Sequence, residues 1–280
     1  MHWSQAAEGA ELCMVENRMA VLKAPQGVSA YDFDFALYFT CSHPPEMPAG
    51  GALMLRVGAP HDYAALHSTL VQQGMHPIND PDAHALASEL EHWYPRIETV
   101  TPRTCIYDTL PSADVIEAEF GWPVFIKGSR QTSRHNPLLS VIDGRERYEA
   151  VLIGYARDPI LRWQKPVVRE FVQLRPVRGT VVGKIPPSLE FRTFWLHGRC
   201  VGYGPYWYQV PTYGCEDLAD GLSLAQNVSR RLDVPFLVVD IAKTADDRWI
   251  VIECNDGQES GHAGIPPLKL WREILEAWEA

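Results

Sequence analysis

The sequence predicts a mixed α+β and α/β protein, in which a small N-terminal α/β unit precedes segments built from antiparallel strands. Three observations point there. The 280 residues suffice for about two domains by the usual size prior. A strand, helix, turn, helix order runs through residues 52–94, and two hairpins rich in aromatic and β-branched residues stand at 189–203 and 236–254.

Residues 41–51 (CSHPPEMPAGG) hold too many breakers to continue any element. After them, residues 52–57 read as a buried strand. Residues 61–73 read as a helix closed by Gly74, with Ala64, Ala65, Leu66, Leu70 and Val71 at helical spacing. A second helix is expected over 81–94, with Asp80 as N-cap and Pro81 at its first position. Residues 124–126 form an apolar strand that ends on Lys127 and enters a polar loop, 128–136. Residues 138–142, a turn at Asp143-Gly144 and a helix over 145–155 follow, and then a strand over 166–174 and an Arg/Gly/Pro loop to Ser188. Arms 189–195 and 199–203 pair across His197-Gly198. A helix over 216–232 leads to the last hairpin, 236–242 with 248–254, and a Trp-containing helix closes the chain.

Composition excludes several classes. Lys and Arg number 25 against 35 Asp and Glu, a net charge of −10, which argues against a polycation that wraps duplex nucleic acid. With 46% hydrophobic and 21% charged residues, the chain is globular and not disordered. The six cysteines include no Cys-x-x-Cys pair, so neither a zinc cluster nor a disulfide scaffold is indicated and a reducing cytoplasm is expected. Residues 1–11 carry Glu8 and Glu11 without an apolar core, unlike a secretory signal. No run approaches the ~18 apolar residues of a membrane span.

Four segments carry chemistry. In the last hairpin, Glu253 and Asn255 stand two apart and so share a strand face, and Asp240 approaches from the paired arm. Two carboxylates and an amide in otherwise apolar strands suit Mg²⁺ shared with phosphate oxygens; polar caps on an ordinary hairpin are the alternative. Lys127 ends a buried strand and opens a Gly/Ser loop, a place where phosphate oxygens can be held or a lysine simply reaches solvent. Residues 167–172 (VVREFV) offer a polar-aromatic strand edge to a base, or form an amphipathic strand. Glu190 and Arg192 share a face of their strand, as ligand contacts or as a cross-strand ion pair.

Taken in order, these segments resemble the ATP-grasp superfamily over about residues 101–264, with Pro102-Arg-Thr104 similar to its entering step. Residues 255–261 (NDGQESG) look like a compact bacterial and phage clade. The resemblance implies two α+β lobes holding ATP between them, preceded by the small N-terminal α/β unit: residues 1–100, 101–165 and 166–280. It implies Lys127 as the phosphate-side lysine and 128–133, with Gly128, Ser129 and Ser133, as the phosphate-covering loop. Arg169, Glu170, Phe171 and Val172 fall at the adenine hinge, Glu190 at the ribose or phosphates, and Lys184 and Arg192 at phosphate. Asp240, Glu253 and Asn255 become ligands of one or two Mg²⁺, and Lys127 and Arg192 the catalytic cations. The chain departs from the pattern in the long segment 173–189 and in Val238, where many members carry arginine.

The implied activity is activation of a carboxylate as an acylphosphate, with ADP released, and its transfer to an amine or thiol of a small molecule or peptide. The alternatives are an RNA ligase or modifying enzyme, with Arg157, Arg162, Lys165, Arg169, Arg175 and Arg178 as its footprint, and a non-catalytic nucleotide-binding module. Cys254, between two implied ligands, is expected in the core. The loop after Asn255, with Gln258, Glu259, Ser260 and His262, is the expected acceptor contact. The aromatic segment 203–213 either stacks a ring or forms an ordered loop.

Overall fold

The computed structural model describes residues 10–23, 33–44, 52–130 and 136–278, and three sheets organise them. The first contains β1 (Glu11–Val15), β2 (Met19–Lys23), β3 (Cys41–Ser42), β4 (Ala52–Arg56) and, after helix α1 (Tyr63–Val71), β5 (His76–Pro77). Its order is β3-β1-β2-β4-β5. The β1–β2 hairpin, which the sequence reading did not anticipate, turns through Glu16 and Asn17 at φ 51° and 53°, the left-handed backbone that a tight hairpin needs. α1 starts one residue after Asp62, whose carboxylate accepts from Ala65 N at 2.9 Å.

The single helix expected over 81–94 is two, α2 (Pro81–Ser88) and α3 (Leu90–Ile97). Its start is as expected: Asp80 accepts from Ala83 N at 2.8 Å and Pro81 follows. The break falls at Glu89, which is extended (φ −104°, ψ 118°). That releases the Leu90 N–H from the helical ladder, and it donates to Ser129 O at 3.0 Å instead.

The second sheet contains β6 (Thr104–Ile106), β7 (Val124–Gly128), β8 (Val141–Ile142) and β9 (Pro166–Glu170), ordered β6-β9-β7-β8 and antiparallel throughout. Helices α4 (Ala113–Glu119), α5 (Pro137–Ser140) and α6 (Arg145–Arg157) connect its strands. Val124, Ile126, Ile142 and Val168 pack on Tyr148, Val151 and Tyr155 of α6. Strand alternation then turns Phe125 and Lys127 to the other face. The strand expected over 166–174 ends at Glu170, and because it pairs with β7 and β6, residues 166–170 sit with this sheet and not with the C-terminal one.

The third sheet is ordered β11-β10-β12-β13 and contains β10 (Glu190–Leu196), β11 (Arg199–Pro205), β12 (Phe236–Lys243) and β13 (Trp249–Asp256). The expected turn between β10 and β11 holds His197 and Gly198 at φ 47° and 75°. Helices α7 (Leu218–Leu232) and α8 (Pro267–Ala277) cover its two faces. Phe194, Phe236 and Val238 meet Leu270, Trp271 and Ile274 of α8 and Val15, Met19 and Met54 of the first sheet. Trp195, Leu237 and Val239 meet Ala225 and Val228 of α7 and Trp93 of α3. Every residue of β12 is buried, as a strand covered on both faces requires. Each fully buried Phe or Leu of this layer contributes roughly 1.5–3 kcal/mol of transfer free energy. The stiff layer so formed is the floor on which the polar site is built.

Candidate functional site

Asp240 continues the β12 face that carries Phe236 and Val238 (period two), but stands beyond the apolar contacts with α8. The pairing register sets Arg192 of β10 and Glu253 of β13 directly opposite it, one on each side. The guanidinium of Arg192 grips the carboxylate with two bonds, Nε to Oδ1 at 2.9 Å and Nη2 to Oδ2 at 2.7 Å, while Nη1 donates to Gly261 O at 3.0 Å. Burial raises the Asp240 carboxyl above its usual range, and the charge of Arg192 opposes that shift. The guanidinium is driven in the opposite sense to its own desolvation, upward, by Asp240. Asn255, two residues beyond Glu253, shares this face, and its Nδ2 is buried with no hydrogen-bond partner.

The ladder is irregular between Asp240 and Ile241: Asp240 pairs with Glu253 and Ile241 with Val251, so Ile252 is unpaired. Such a bulge lets two successive side chains turn toward one side. Ile252 and Glu253 both line a cavity of about 390 Å³ that also receives Phe125 and Lys127 from β7 and Arg169 and Glu170 from β9. Phe171, Val172, Leu174, Ile185, Pro187, Ser188, Glu190 and Ile250 complete much of its wall. The second and third sheets therefore enclose a mostly apolar chamber with charge at one end. At that end the Lys127 ammonium, only 3% exposed, pairs with Glu253.

Glu190 is a second buried carboxyl on the chamber wall. Its Oε1 accepts from Ser188 Oγ and from Trp207 Nε1, the latter at 2.8 Å. Burial nevertheless pushes its pKa up to about 7, against those two bonds. The aromatic segment after β11 explains this environment. Tyr206 N and Tyr213 Oη both donate to Glu190 O, at 3.0 and 2.6 Å, and the Arg192 guanidinium lies 5.1 Å from the Tyr206 ring centroid. The segment is an ordered wrap around Glu190 and Arg192, with Tyr203 and Tyr208 exposed.

Other sequence-derived residues fall in several places. Arg169 is buried and its donors are engaged: Nε with Thr104 Oγ1, Nη1 with Ile252 O and Nη2 with Thr101 Oγ1, at 2.6–3.0 Å. It braces the second sheet against β13, and burial lowers its pKa to about 10. Gly128 and Ser129 end and follow β7, with Ser129 N bonded to Lys165 O at 3.0 Å. Ser133 lies outside the described residues. Lys184 is not among the chamber-lining residues, although its neighbour Ile185 is. Cys254 points the other way into the α7 core and is 1% exposed, as expected. His262 is held neutral, with its pKa lowered to about 3 by burial and by Arg56 and Arg192. Of the six cations proposed as a nucleic-acid footprint, Arg169 is buried, Arg175 pairs with Asp247, and Lys165 stands 3.6 Å from Glu91.

Sequence reasoning missed the roof of the chamber. Asp143 and Arg147, 3.7 Å apart, line it beside Pro137 and Val141. The Phe125/Lys127 alternation was the one available signal for that side. It also missed Trp207 as a partner of Glu190. Among the described residues, no group of three or more His, Cys, Asp or Glu side chains stands together as a metal site; the set here is two carboxylates and an amide.

Comparison with known proteins follows the same division. A family model for an ATP-grasp domain, the third family of its clade, matches residues 113–274. The fold is shared with a RimK-domain ATP-grasp protein of Sphaerobacter thermophilus DSM 20745 (16% identical, TM-score 0.57, covering 82% of this chain and 81% of that one). It is shared with D-alanine–D-alanine ligase of Bacillus anthracis, in a structure complexed with ATP (12%, TM-score 0.55, 81% and 77%). A third likeness is to the ATP-grasp ligase PsnB, complexed with precursor peptide PsnA2 and AMPPNP (11%, TM-score 0.51, 91% and 83%). At such identities the likeness is one of fold. Among curated protein sequences, no match is found.

Proposed function

The chain belongs to this ATP-grasp domain family, and from that premise we propose that it is an ATP-dependent ligase that joins a carboxylate to an amine of a small molecule or peptide. The observation that carries this reading is the chamber between the second and third sheets, apolar along its length and lined at one end by Lys127, Glu190 and Glu253. An adenine fits the apolar walls, with Phe171, Val172 and Leu174 beside it and the strand-edge groups of 170–172 as hydrogen-bonding partners. Triphosphate then faces Lys127 and, beyond it, Arg192.

The donor set fits a magnesium ion held jointly with phosphate. Asp240, Glu253 and Asn255 present hard oxygen ligands on one strand face, and the buried Asn255 amide nitrogen without a partner marks an amide that no protein group has claimed. These three residues would hold the ion, which supplies neutralisation of phosphoryl charge. The protein's own part is electrostatic and positional. Lys127 and Arg192 place positive charge where the transferring phosphoryl oxygens gain negative charge, in a water-poor site where it acts strongly. Both cations already sit against the acidic face, Lys127 on Glu253 and Arg192 on Asp240, so they are oriented before any ligand arrives. Attack of the acceptor carboxylate on the γ-phosphorus gives an acylphosphate and ADP, and the amine then displaces phosphate. No protein nucleophile is needed, which agrees with the inward burial of Cys254.

The test is the nucleotide product. Incubation with Mg-ATP and panels of carboxylates and amines should release ADP and phosphate in an acceptor-dependent way. AMP and pyrophosphate would replace the acylphosphate route with adenylylation. ATP binding without turnover on any acceptor would leave a nucleotide-binding module. Glu253→Gln should abolish turnover while the protein remains folded.

A further inference from the structure

Outside the chamber, the largest buried polar cluster lies where all three parts of the chain meet. His84 of α2 is 3% exposed. Its Nδ1 lies 3.0 Å from Asp256 Oδ2 and 3.4 Å from Glu259 Oε1, and its Nε2 lies 3.1 Å from Nη2 of Arg130. The Tyr63 ring stacks on the imidazole with centroids 3.8 Å apart and planes 7° apart. A carboxylate only accepts and a guanidinium only donates. The two neighbours therefore fix one tautomer: Nδ1–H donates to Asp256, and the Nε2 lone pair accepts from Arg130.

Each partner is tied further. Arg130 Nη1 donates to Pro60 O at 2.9 Å, and its backbone N–H donates to Gln164 Oε1 at 2.8 Å. Asp256 accepts from Gln258 N at 2.8 Å, and Gln258 Nε2 donates to Tyr63 Oη at 3.0 Å. Arg56 of β4 donates to the carbonyls of Gly257, Gln258 and Ser260 at 2.9–3.2 Å. The first sheet and its helices thus grip the turn that leaves β13 immediately after Asn255. Arg130 stands three residues after Lys127 and two after the end of β7. His84 is the bridge between the strand end that supplies the phosphate-side lysine and the strand end that supplies the proposed magnesium ligands.

We propose that His84 is a positioning residue that sets the spacing between the Lys127–Arg130 segment and the Glu253–Asp256 segment, and thereby tunes the protein for the triphosphate of ATP rather than for the nucleoside. The proposal rests on the ATP reading above. Touching neither nucleotide nor acceptor, the imidazole acts through Arg130 and Asp256. Imidazole suits this task because it is rigid and joins an acceptor to a donor on opposite edges of one ring.

The test uses four variants of the full chain, with direct binding measured for Mg-ATP and for adenosine. His84→Asn keeps a donor toward Asp256 and loses the acceptor for Arg130; His84→Gln places a carbonyl where Nε2 stood. Arg130→Met cuts the same link from the other side, and Lys127→Met controls for the ATP site itself. His84→Asn and Arg130→Met should each weaken Mg-ATP binding about tenfold while adenosine affinity stays within about twofold. The double variant should be no weaker than either single one, and His84→Gln should fall between His84→Asn and the unaltered protein. Wild-type Mg-ATP affinity in His84→Asn and Arg130→Met, with Lys127→Met impaired, would overturn the positioning role and leave the ATP site standing. Equal losses of ATP and adenosine would overturn it too, as the mark of a purely structural residue. Unimpaired Mg-ATP binding in Lys127→Met would refute the ATP site first.

Discussion

The ion pair between Lys127 and Glu253 makes a quantitative prediction. Lys127 is 3% exposed and Glu253 keeps 16% of its side-chain surface, at the mouth of the chamber. Breaking a fully buried pair by removing one partner costs about 3–5 kcal/mol, since the other charge is left desolvated. In Glu253→Gln the stranded charge is the more buried one. The Gln carbonyl still accepts a bond from the ammonium, so the loss is about 2 kcal/mol. At roughly 2–4 °C per kcal/mol for a protein of this size, the melting temperature falls by about 4–8 °C. Lys127→Met leaves the partly solvated carboxylate near the Arg169 guanidinium, whose own pKa Glu253 pulls upward, and costs less, about 1 kcal/mol. The double variant Lys127→Met, Glu253→Gln removes both charges and returns to within about 1 kcal/mol of the starting protein.

Thermal melts of the four proteins at pH 7.5 and fixed salt give the cycle, and melts with Mg-ATP added read the ligand. The unaltered protein alone should gain stability from the nucleotide. If Glu253→Gln melts within about 1 °C of the parent, or if the double variant is as unstable as Glu253→Gln, the pair is not the buried, mutually dependent unit argued here.

Three further outcomes are expected. Glu190 holds its proton up to about 7 when folded but near 4.5 when unfolded, so the folded state binds more protons between those values and stability falls as pH rises through them, by roughly 3 kcal/mol. Glu190→Gln should remove that slope in melts at pH 5, 6, 7 and 8; an unchanged slope would refute the assignment. Gly264→Ala would set a Cβ 2.6 Å from the carbonyl oxygen of Pro205, and because backbone cannot step aside cheaply the melting temperature should drop by an amount equivalent to about 1–3 kcal/mol. Arg192→Lys replaces a fork that spans both Asp240 oxygens and Gly261 O with a single nitrogen. Mg-ATP affinity by calorimetry should weaken about tenfold, and an unchanged affinity would remove Arg192 from the phosphate site.

What the sequence revealed of this site, and what it concealed, follows from the range over which each feature is determined. Glu253 and Asn255, and Glu190 and Arg192, are each two residues apart, and strand alternation alone places each pair on one face; the hairpin around 246–247 then brings Asp240 opposite Glu253. The same local rule sends Cys254 to the core. The unpaired Ile252 is different, because a bulge is a property of two strands in register and no pattern within β13 announces it. Glu89 is different again: its extended backbone breaks a helix that Asp80 and Pro81 start correctly, and the Leu90 amide so released is claimed by Ser129, far along the chain. The β1–β2 turn escaped notice because Glu16-Asn17 lacks the glycine that usually supplies its left-handed backbone. The widest gap is at His84, 46 residues from Arg130 and 172 from Asp256. A histidine inside a short, weakly amphipathic helix carries no local mark of its partners. Its burial between a donor and an acceptor is created only when the first sheet, β7 and β13 close on one another. Residues that contact a ligand tend to be fixed by strand periodicity and can be read early; residues that hold those strands at the right separation are fixed by tertiary closure. In this protein the second group governs how the triphosphate end of the chamber is spaced, so the spacing of Lys127 from Glu253 is the feature that local sequence pattern constrains least.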